Sequence, residues 1–226
     1  MAITPEEVAE TLSMVSQQNL DLRTITMGVS LFGCADEDMG RMCTKVYDRI
    51  TKTAERLVPT AEQLEREYGI PIANKRVSVT PIAQIAAACD DEDLTPIAQA
   101  MNRAAEALGI DFMGGFSALV QKGMGSADRR LIASIPSAVA STERICSSLN
   151  IASTRAGINM DAALLSAQTM IDCAKATTDI DCYGAAKFVV FANMVEDSPF
   201  MAGATHGSGE ADAVINVGVS GPGVMA

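Results

Sequence analysis

The sequence predicts an α/β protein in which helices cover a mostly parallel sheet. Short segments of β-branched and apolar residues alternate with longer segments whose apolar residues recur every three to four positions. This alternation gives the order α-β-α-β-α-β-α-β-α-β-β, which is typical of right-handed crossovers between parallel strands. Hydrophobic residues make up 48% of the 226 residues and no low-complexity linker divides the chain, so we expect a single domain over residues 1–226.

Strands are predicted where β-branched and apolar residues alternate or form an unbroken run. The predicted strands are residues 22–32, 76–79, 112–120, 145–152, 185–195 and 213–219. The last two have no helical pattern between them, so a standard parallel crossover cannot join them. We therefore expect their connection, with residues 200–210 as a hairpin, to turn back over or into the sheet.

Helix starts are predicted from capping residues and from acidic residues, which favour the positive end of the helix dipole. The predicted starts are residues 4–7, 36–38, 60–63, 80–81, 128 and 159. Gly69 is placed to end the helix that begins at residue 60, since glycine readily adopts the left-handed conformation of a helix terminus. Pro136 lies inside the helix predicted over residues 128–140, and we expect it to kink or split that helix.

The charge and composition exclude several classes of function. Lys and Arg number 17 and Asp and Glu 28, so the net charge is −11, which disfavours nucleic acid and anionic membrane surfaces as partners. Aromatic residues are only 4%, and no apolar run is long enough to span a bilayer.

The six cysteines form no C-x-x-C pair, so we expect reduced thiols. Since MAITPEEVAE has no secretory pattern, we expect a cytoplasmic protein.

The carboxyl ends of the strands are where a ligand site is expected, because parallel α/β folds bind ligands there. The candidate ligand-binding residues at these ends are Asn150, Glu196, Gly221 and Gly223. Ordinary strand-to-helix turns remain the alternative interpretation of each segment. The pair at residues 75–76, Lys-Arg, offers positive charge for an anion, but it lies at a strand start. An ion-paired or solvated face is therefore the preferred interpretation of that pair.

A glycine-rich segment before the last strand is the most unusual part of the sequence and contains the only histidine, His206. Gly207 and Gly209 permit close approach of the backbone to a ligand, so both are candidate ligand-binding residues. His206 and Glu210 are the candidate acid/base residues, and with Asp212 they offer one nitrogen and two carboxylates to a divalent metal. Because no fixed-spacing motif is matched, a flexible hairpin with a solvated histidine remains the alternative.

Seven segments of the chain together resemble uncharacterised protein family 0210. They are residues 22–30, 66–72, 74–81, 157–161, 191–193, 199–203 and 214–223. The resemblance implies a fold like that of pyruvate formate-lyase, a ten-stranded β/α barrel of two five-stranded halves with a hairpin loop inside. Members of the family are much longer than this chain. The resemblance therefore implies the first half of such a barrel, as a fragment or as one part of a split protein.

The resemblance implies no radical mechanism and no assigned catalytic residue. Residues 200–210 contain no cysteine, whereas relatives of this fold with radical chemistry carry one on the inner loop. Two functions stay open: an enzyme that acts on a small polar metabolite around His206, or a non-enzymatic homodimer that senses a small-molecule ligand. Family members are often encoded beside a small ACT-type domain, which implies a partner protein and a link to amino-acid sensing.

Overall fold

A computed structural model of the chain describes residue 9 and residues 22–219. The strands are β1 (Leu22–Val29), β2 (Ile72–Val79), β3 (Phe112–Leu119), β4 (Ile145–Ser153), β5 (Gly157–Ile158), β6 (Phe188–Ala192) and β7 (Ala213–Val219). The helices are α1 (Met39–Ala54), α2 (Leu57–Tyr68), α3 (Ile82–Ile85), α4 (Thr95–Leu108), α5 (Ser126–Ser141) and α6 (Met160–Ala176). The capping box at residues 4–7 and the candidate residues Gly221 and Gly223 lie outside the described residues.

The strands form one mixed sheet in which parallel pairing dominates. Its order is β6-β4-β3-β2-β1-β7, in which β7 pairs antiparallel with β1 and all other neighbours in this order are parallel. The two-residue β5 pairs antiparallel with the end of β4. The predicted α/β class is therefore confirmed. Within residues 22–219 the edge strands β6 and β7 do not pair with each other, and the barrel stays a prediction.

Alternating side chains give the sheet two unlike faces. In β1, Ile25 and Val29 belong to the apolar core cluster that also contains residues of the helices. Thr26 and Gly28 lie on the opposite face, and Ser78 of β2 is their neighbour there because Gly28 and Ser78 are in register. We call this second face the inner face. It is polar, yet the side chains of Thr26 and Ser78 are fully buried, so something else must cover it.

Three helix termini follow the predicted capping residues. The Asp38 carboxylate accepts from the main-chain N–H of Arg41 at 2.7 Å at the start of α1, and Asn159 accepts from that of Ala162 at 3.2 Å at the start of α6. Gly69 ends α2 with a φ of 69°. None of the described helices is both long and apolar enough to cross a bilayer.

One predicted helix start is wrong, and a predicted helix split is absent. Helix α2 begins at Leu57, so Thr60 lies inside it rather than at its cap. Leu57 is buried in the core, and Pro59 fits the first turn, where no N–H group is needed. Helix α5 runs unbroken through Pro136, so the predicted split is absent. Its buried apolar side, which includes Ile135, packs on the core and offsets the hydrogen bond that the proline removes.

Candidate functional site

Residues 193–212, which we call the crossing loop, carry the chain from β6 at one edge of the sheet to β7 at the other. Ser198 and Thr205 exchange two main-chain hydrogen bonds, of 3.0 and 2.9 Å, and so close a hairpin. The main-chain N–H of His206 then donates to the carbonyl of Val79 at 3.0 Å, at the carboxyl end of β2. The predicted hairpin is present, and it closes at Thr205 rather than at Glu210.

Two glycines of the sheet let the crossing loop lie directly on the inner face. A Cβ atom on Gly114 of β3 would stand 2.5 Å from the carbonyl oxygen of Ala204. One on Gly28 of β1 would stand 2.5 Å from Nδ1 of His206. Any larger side chain at either position would push the loop away. The crossing loop is thus the element that covers the polar inner face.

His206 is fully buried, and both of its ring nitrogens face groups of the protein. Its Nε2 lies 2.8 Å from the carbonyl oxygen of Ala211, which can only accept, so Nε2 carries a hydrogen. Its Nδ1 lies 3.4 Å from Oδ1 of Asp197. The other oxygen of Asp197 accepts from the Asn216 side-chain amide of β7 at 2.8 Å. Asp197 therefore links the crossing loop to β7. Because His206 is buried, the alternative of a solvated histidine is wrong.

Glu210 and Asp212 do not join His206. Both are exposed, and the Asp212 carboxylate lies 3.2 Å from the guanidinium of Arg49. Across the described residues, no three His, Cys, Asp or Glu side chains are grouped closely enough to hold a metal ion. The metal and acid/base roles given to these residues therefore stay predictions, and the geometry adds no support to them.

A pocket of about 190 Å³ lies where the crossing loop meets the carboxyl ends of β2, β3 and β4. It brings together three of the candidate ligand-binding residues, Asn150, Glu196 and Gly207. The other residues that line it are Pro81, Gln84, Leu119, Gln121, Met194, Val195, Thr205 and Ser208. Among the described residues of this lining, Glu196 is the one ionisable side chain. Asn150 and four further side chains are uncharged amides or hydroxyls.

Asn150 is buried at the end of β4 and is held in place by the backbone. In the orientation that satisfies its surroundings, its amide nitrogen donates to the carbonyl oxygens of Phe191 at 3.2 Å and Ala152 at 3.1 Å. Its oxygen then faces the Gln121 side chain, 3.3 Å away. The backbone thus fixes the position of the amide, and Asn150 and Gln121 present a preformed polar pair to the pocket.

Glu196 reaches the same pocket because two glycines of the crossing loop make room for it. A Cβ atom on Gly207 would lie 2.7 Å from Cβ of Glu196 and 2.8 Å from its carbonyl oxygen. One on Gly209 would lie 3.1 Å from the carboxylate oxygen Oε2. The glycines that the sequence marks as contacts to a ligand therefore contact Glu196 in this structure.

Two residues of this region were not singled out by the sequence. Gln121 lies two residues after the end of β3 and faces Asn150, and Asp197 contacts the buried histidine. The position of Gln121 at a strand end is the same signal that selected Asn150. The role of Asp197 had no such signal, because its partners Asn216 and His206 meet it only through the path of the loop.

The comparison with known proteins places the chain in a family. The sequence pattern of the family described as Uncharacterised ACR (DUF711) matches residues 13–226. The chain belongs to this family. The DUF711 match agrees with the resemblance to uncharacterised protein family 0210, because the relatives that the chain matches carry that number.

Three relatives show how far the similarity extends. Each is described as a UPF0210 protein, and they come from Desulforamulus reducens (58% identical), Pelobacter propionicus (57%) and Lactobacillus helveticus (56%). The matches cover 97%, 100% and 97% of this chain, but 48%, 50% and 48% of the respective relatives. The chain thus spans about half the length of the DUF711 relatives that it matches.

Proposed function

We propose that this chain carries the binding site of a small polar metabolite, in the pocket beneath the crossing loop. The observation that supports this most is the convergence of Asn150, Gln121 and Glu196 from three separate segments on one pocket at the carboxyl ends of parallel strands. Parallel α/β sheets place their ligands at this edge. The backbone holds the Asn150 amide in place before any ligand arrives, which lowers the cost of binding.

The chemistry of the lining specifies the class of ligand. A carboxylate accepts hydrogen bonds and attracts positive charge, so Glu196 suits an ammonium or a hydroxyl donor. The amide nitrogen of Asn150 already donates to two carbonyls, so its oxygen is left to accept, whereas the Gln121 amide both donates and accepts. Together they suit hydroxyl or amide groups on the same molecule. A volume of about 190 Å³ is below the range for drug-sized ligands. We therefore propose a small ligand that bears an amine and several polar groups.

Binding without catalysis is the function that the lining favours. General acid/base catalysis needs a second ionisable group within reach of the reacting atoms. Glu196 has none among the described residues that line the pocket, and both ring nitrogens of His206 face other groups. The alternative, an enzyme without radical chemistry, requires a further reactive group from the remaining half of the longer relatives.

The proposed architecture is the first half of a ten-stranded barrel like that of pyruvate formate-lyase. Five parallel strands, a loop that covers their inner face and relatives of twice the length all support it. In this proposal the other half would pair with a free edge of the sheet. A homodimer and an ACT-type partner belong to the same proposal, as expected of a ligand-sensing protein.

Thermal unfolding in the presence of candidate ligands tests the proposed site. The chain is screened against small amines, amino alcohols, amino acids and polyols, and any ligand that raises the melting temperature is titrated by calorimetry. We expect Glu196→Gln to weaken an amine ligand by about tenfold or more, because the charge-assisted hydrogen bond is lost. Glu210→Gln is the matched control, since Glu210 is exposed and outside the pocket.

The outcomes separate the proposals. Binding that Glu196→Gln weakens and Glu210→Gln leaves unchanged supports the pocket. Equal losses from both variants would contradict it, because only a nonspecific effect of negative charge would then remain. Turnover of the bound molecule by the longer relatives would support the enzyme instead of the sensor.

A further inference from the structure

A second cavity lies at the amino-terminal ends of β1 and β2, and none of its described lining residues belongs to the pocket beneath the crossing loop. Its volume is about 430 Å³. Its described lining includes Arg23, Asn74, Arg76 and Phe200. Arg76 has the same orientation as Ser78 in β2, so its side chain belongs to the inner face. Nothing in the proposed function makes use of this cavity.

Arg76 is incompletely engaged by the protein around it. Its Nη2 donates to Oδ1 of Asn74 at 3.3 Å, and the guanidinium carbon lies 5.9 Å from the ring centre of Phe112. Its Nε is shielded from solvent and has no hydrogen-bond partner within the described residues. Burial also lowers the pKa of Arg76, although a guanidinium keeps its charge at neutral pH. A half-buried charge with one hydrogen bond is a site that gains from an added acceptor.

No carboxylate within the described residues forms a direct ion pair with Arg76. The described lining of the cavity contains no carboxylate, although the chain has a net charge of −11. The charge of Asp111 acts on Arg76, but this carboxylate already accepts from the main-chain N–H of Lys75 at 2.8 Å. Lys75 itself pairs with Glu65 at 3.0 Å. The ion-paired or solvated face that the sequence favours fits Lys75, whereas Arg76 is half-buried and has no directly paired carboxylate among the described residues.

We propose that this cavity binds a small organic carboxylate that has an apolar body. The planar guanidinium of Arg76 matches a carboxylate in shape and charge, and its Nη1 has no hydrogen-bond partner among the described residues. Asn74 accepts from Arg76 through its oxygen, which leaves its amide nitrogen as a second donor.

The apolar wall is the reason to expect an organic acid rather than an inorganic anion. Phe200 is 65% exposed, and Pro199 and Val219 continue the apolar lining beside it. An apolar body would remove this wall from water, whereas phosphate would leave it exposed.

Titration of the whole chain with benzoate, followed by calorimetry or ligand-observed NMR, tests the proposal. We expect saturable binding that Arg76→Gln weakens about tenfold or more, because the charged donor is lost. Arg129→Gln, on the exposed face of α5, is the matched control and should leave the affinity unchanged. Thermal unfolding of each variant shows that it is folded before its affinity is compared.

A second variant keeps the test decisive. Phe200 is largely exposed, so Phe200→Ser should fold, and we expect it to weaken benzoate while leaving the much weaker binding of acetate unchanged. Absence of saturable benzoate binding by the wild-type chain, or equal affinity in Arg76→Gln, would overturn the proposal. Phosphate that binds as tightly as benzoate would also overturn it. Glu196→Gln should bind benzoate normally, which separates this cavity from the other pocket.

Discussion

Asp36 is the centre of a network of hydrogen bonds and ion pairs just before helix α1. Its carboxylate accepts from the guanidinium of Arg41 at 2.8 Å, from the ammonium of Lys45 at 2.8 Å and from the main-chain N–H of Asp38 at 3.0 Å. The hydrogen bonds to Arg41 and Lys45 are the main reasons that the pKa of Asp36 lies well below its ordinary value of 3.8. The charged form is therefore favoured in the folded state.

This network predicts how stability depends on pH. Because the pKa of Asp36 is lower in the folded than in the unfolded chain, its contribution is complete above about pH 4 and is lost as the pH falls further. We expect Asp36→Asn to lower the free energy of unfolding at pH 7, and the difference from wild type to shrink between pH 4 and pH 2. Urea unfolding at several pH values measures this, with the exposed Glu37→Gln as control. A difference that is independent of pH would contradict the account.

The cysteines follow the prediction made from their spacing. All six are free in the structure, and four of them are buried. Burial raises the pKa of Cys146 and of Cys173 to about 11 each, so both are unreactive near neutral pH. Cys182 alone is exposed. The scattered positions of the cysteines in apolar segments were sufficient to predict free thiols, because no disulfide pairing had to be deduced.

At the scale of elements, the strands were more predictable than the connections between them. The apolar run over residues 145–152 predicted β4 to within one residue, and the predicted strand at residues 213–219 matches β7. Both succeeded because the residue pattern of a strand is local. Residues 185–195 predicted a longer strand than β6, since Tyr183–Lys187 forms a tight 3₁₀ turn. In that turn Lys187 is buried, and its ammonium donates to carbonyl oxygens at the end of α5.

In the candidate site too, the contacts that follow from the order of the strands were predictable, and the contacts that depend on the path of a loop were not. Asn150 and Glu196 meet because parallel strands bring their carboxyl ends to one edge, which the order of elements predicts. His206, Glu210 and Asp212 are close in sequence yet separate in space, since spacing within a loop does not fix its path. The inner-face contacts of that loop depend on glycines in β1 and β3, and no local pattern points to them.

The close packing of the crossing loop makes a prediction about one of these glycines. We expect Gly114→Ala to lower the free energy of unfolding by about 1–3 kcal/mol, because the added methyl group would overlap the carbonyl of Ala204. Gly33→Ala is the matched control: a Cβ atom there meets nothing within 4 Å, and the change should stay within about 0.5 kcal/mol. Urea unfolding measures both variants. Equal effects would show that the loop does not rest on β3 as described.

At the scale of the whole molecule, the sheet has an apolar region that the described residues leave uncovered. Ile215, Val217 and Val219 of β7 are each more than half exposed, and they share one face of that strand. The outer edge of β7 has no partner strand within residues 22–219. An unpaired apolar edge strand favours pairing with another chain.

We therefore expect the chain of 23.7 kDa to self-associate when it is expressed alone. Sedimentation velocity at several concentrations should show species larger than a monomer. A charge at the edge opposes pairing, so Val217→Lys should shift the distribution towards monomer. Gln168→Lys, on the exposed side of α6, is the control and should not. A wild-type chain that sediments as a monomer at every concentration would contradict this expectation.

The central claim is that the pocket beneath the crossing loop binds a small polar metabolite through Asn150, Gln121 and Glu196. Native mass spectrometry of the chain, purified rapidly under mild conditions, tests it most directly because a bound molecule is weighed with the protein. We predict a discrete added mass in the wild type, retained in Glu210→Gln and lost or strongly reduced in Glu196→Gln. An added mass of equal occupancy in Glu196→Gln, or none in a folded wild-type chain, would contradict the claim.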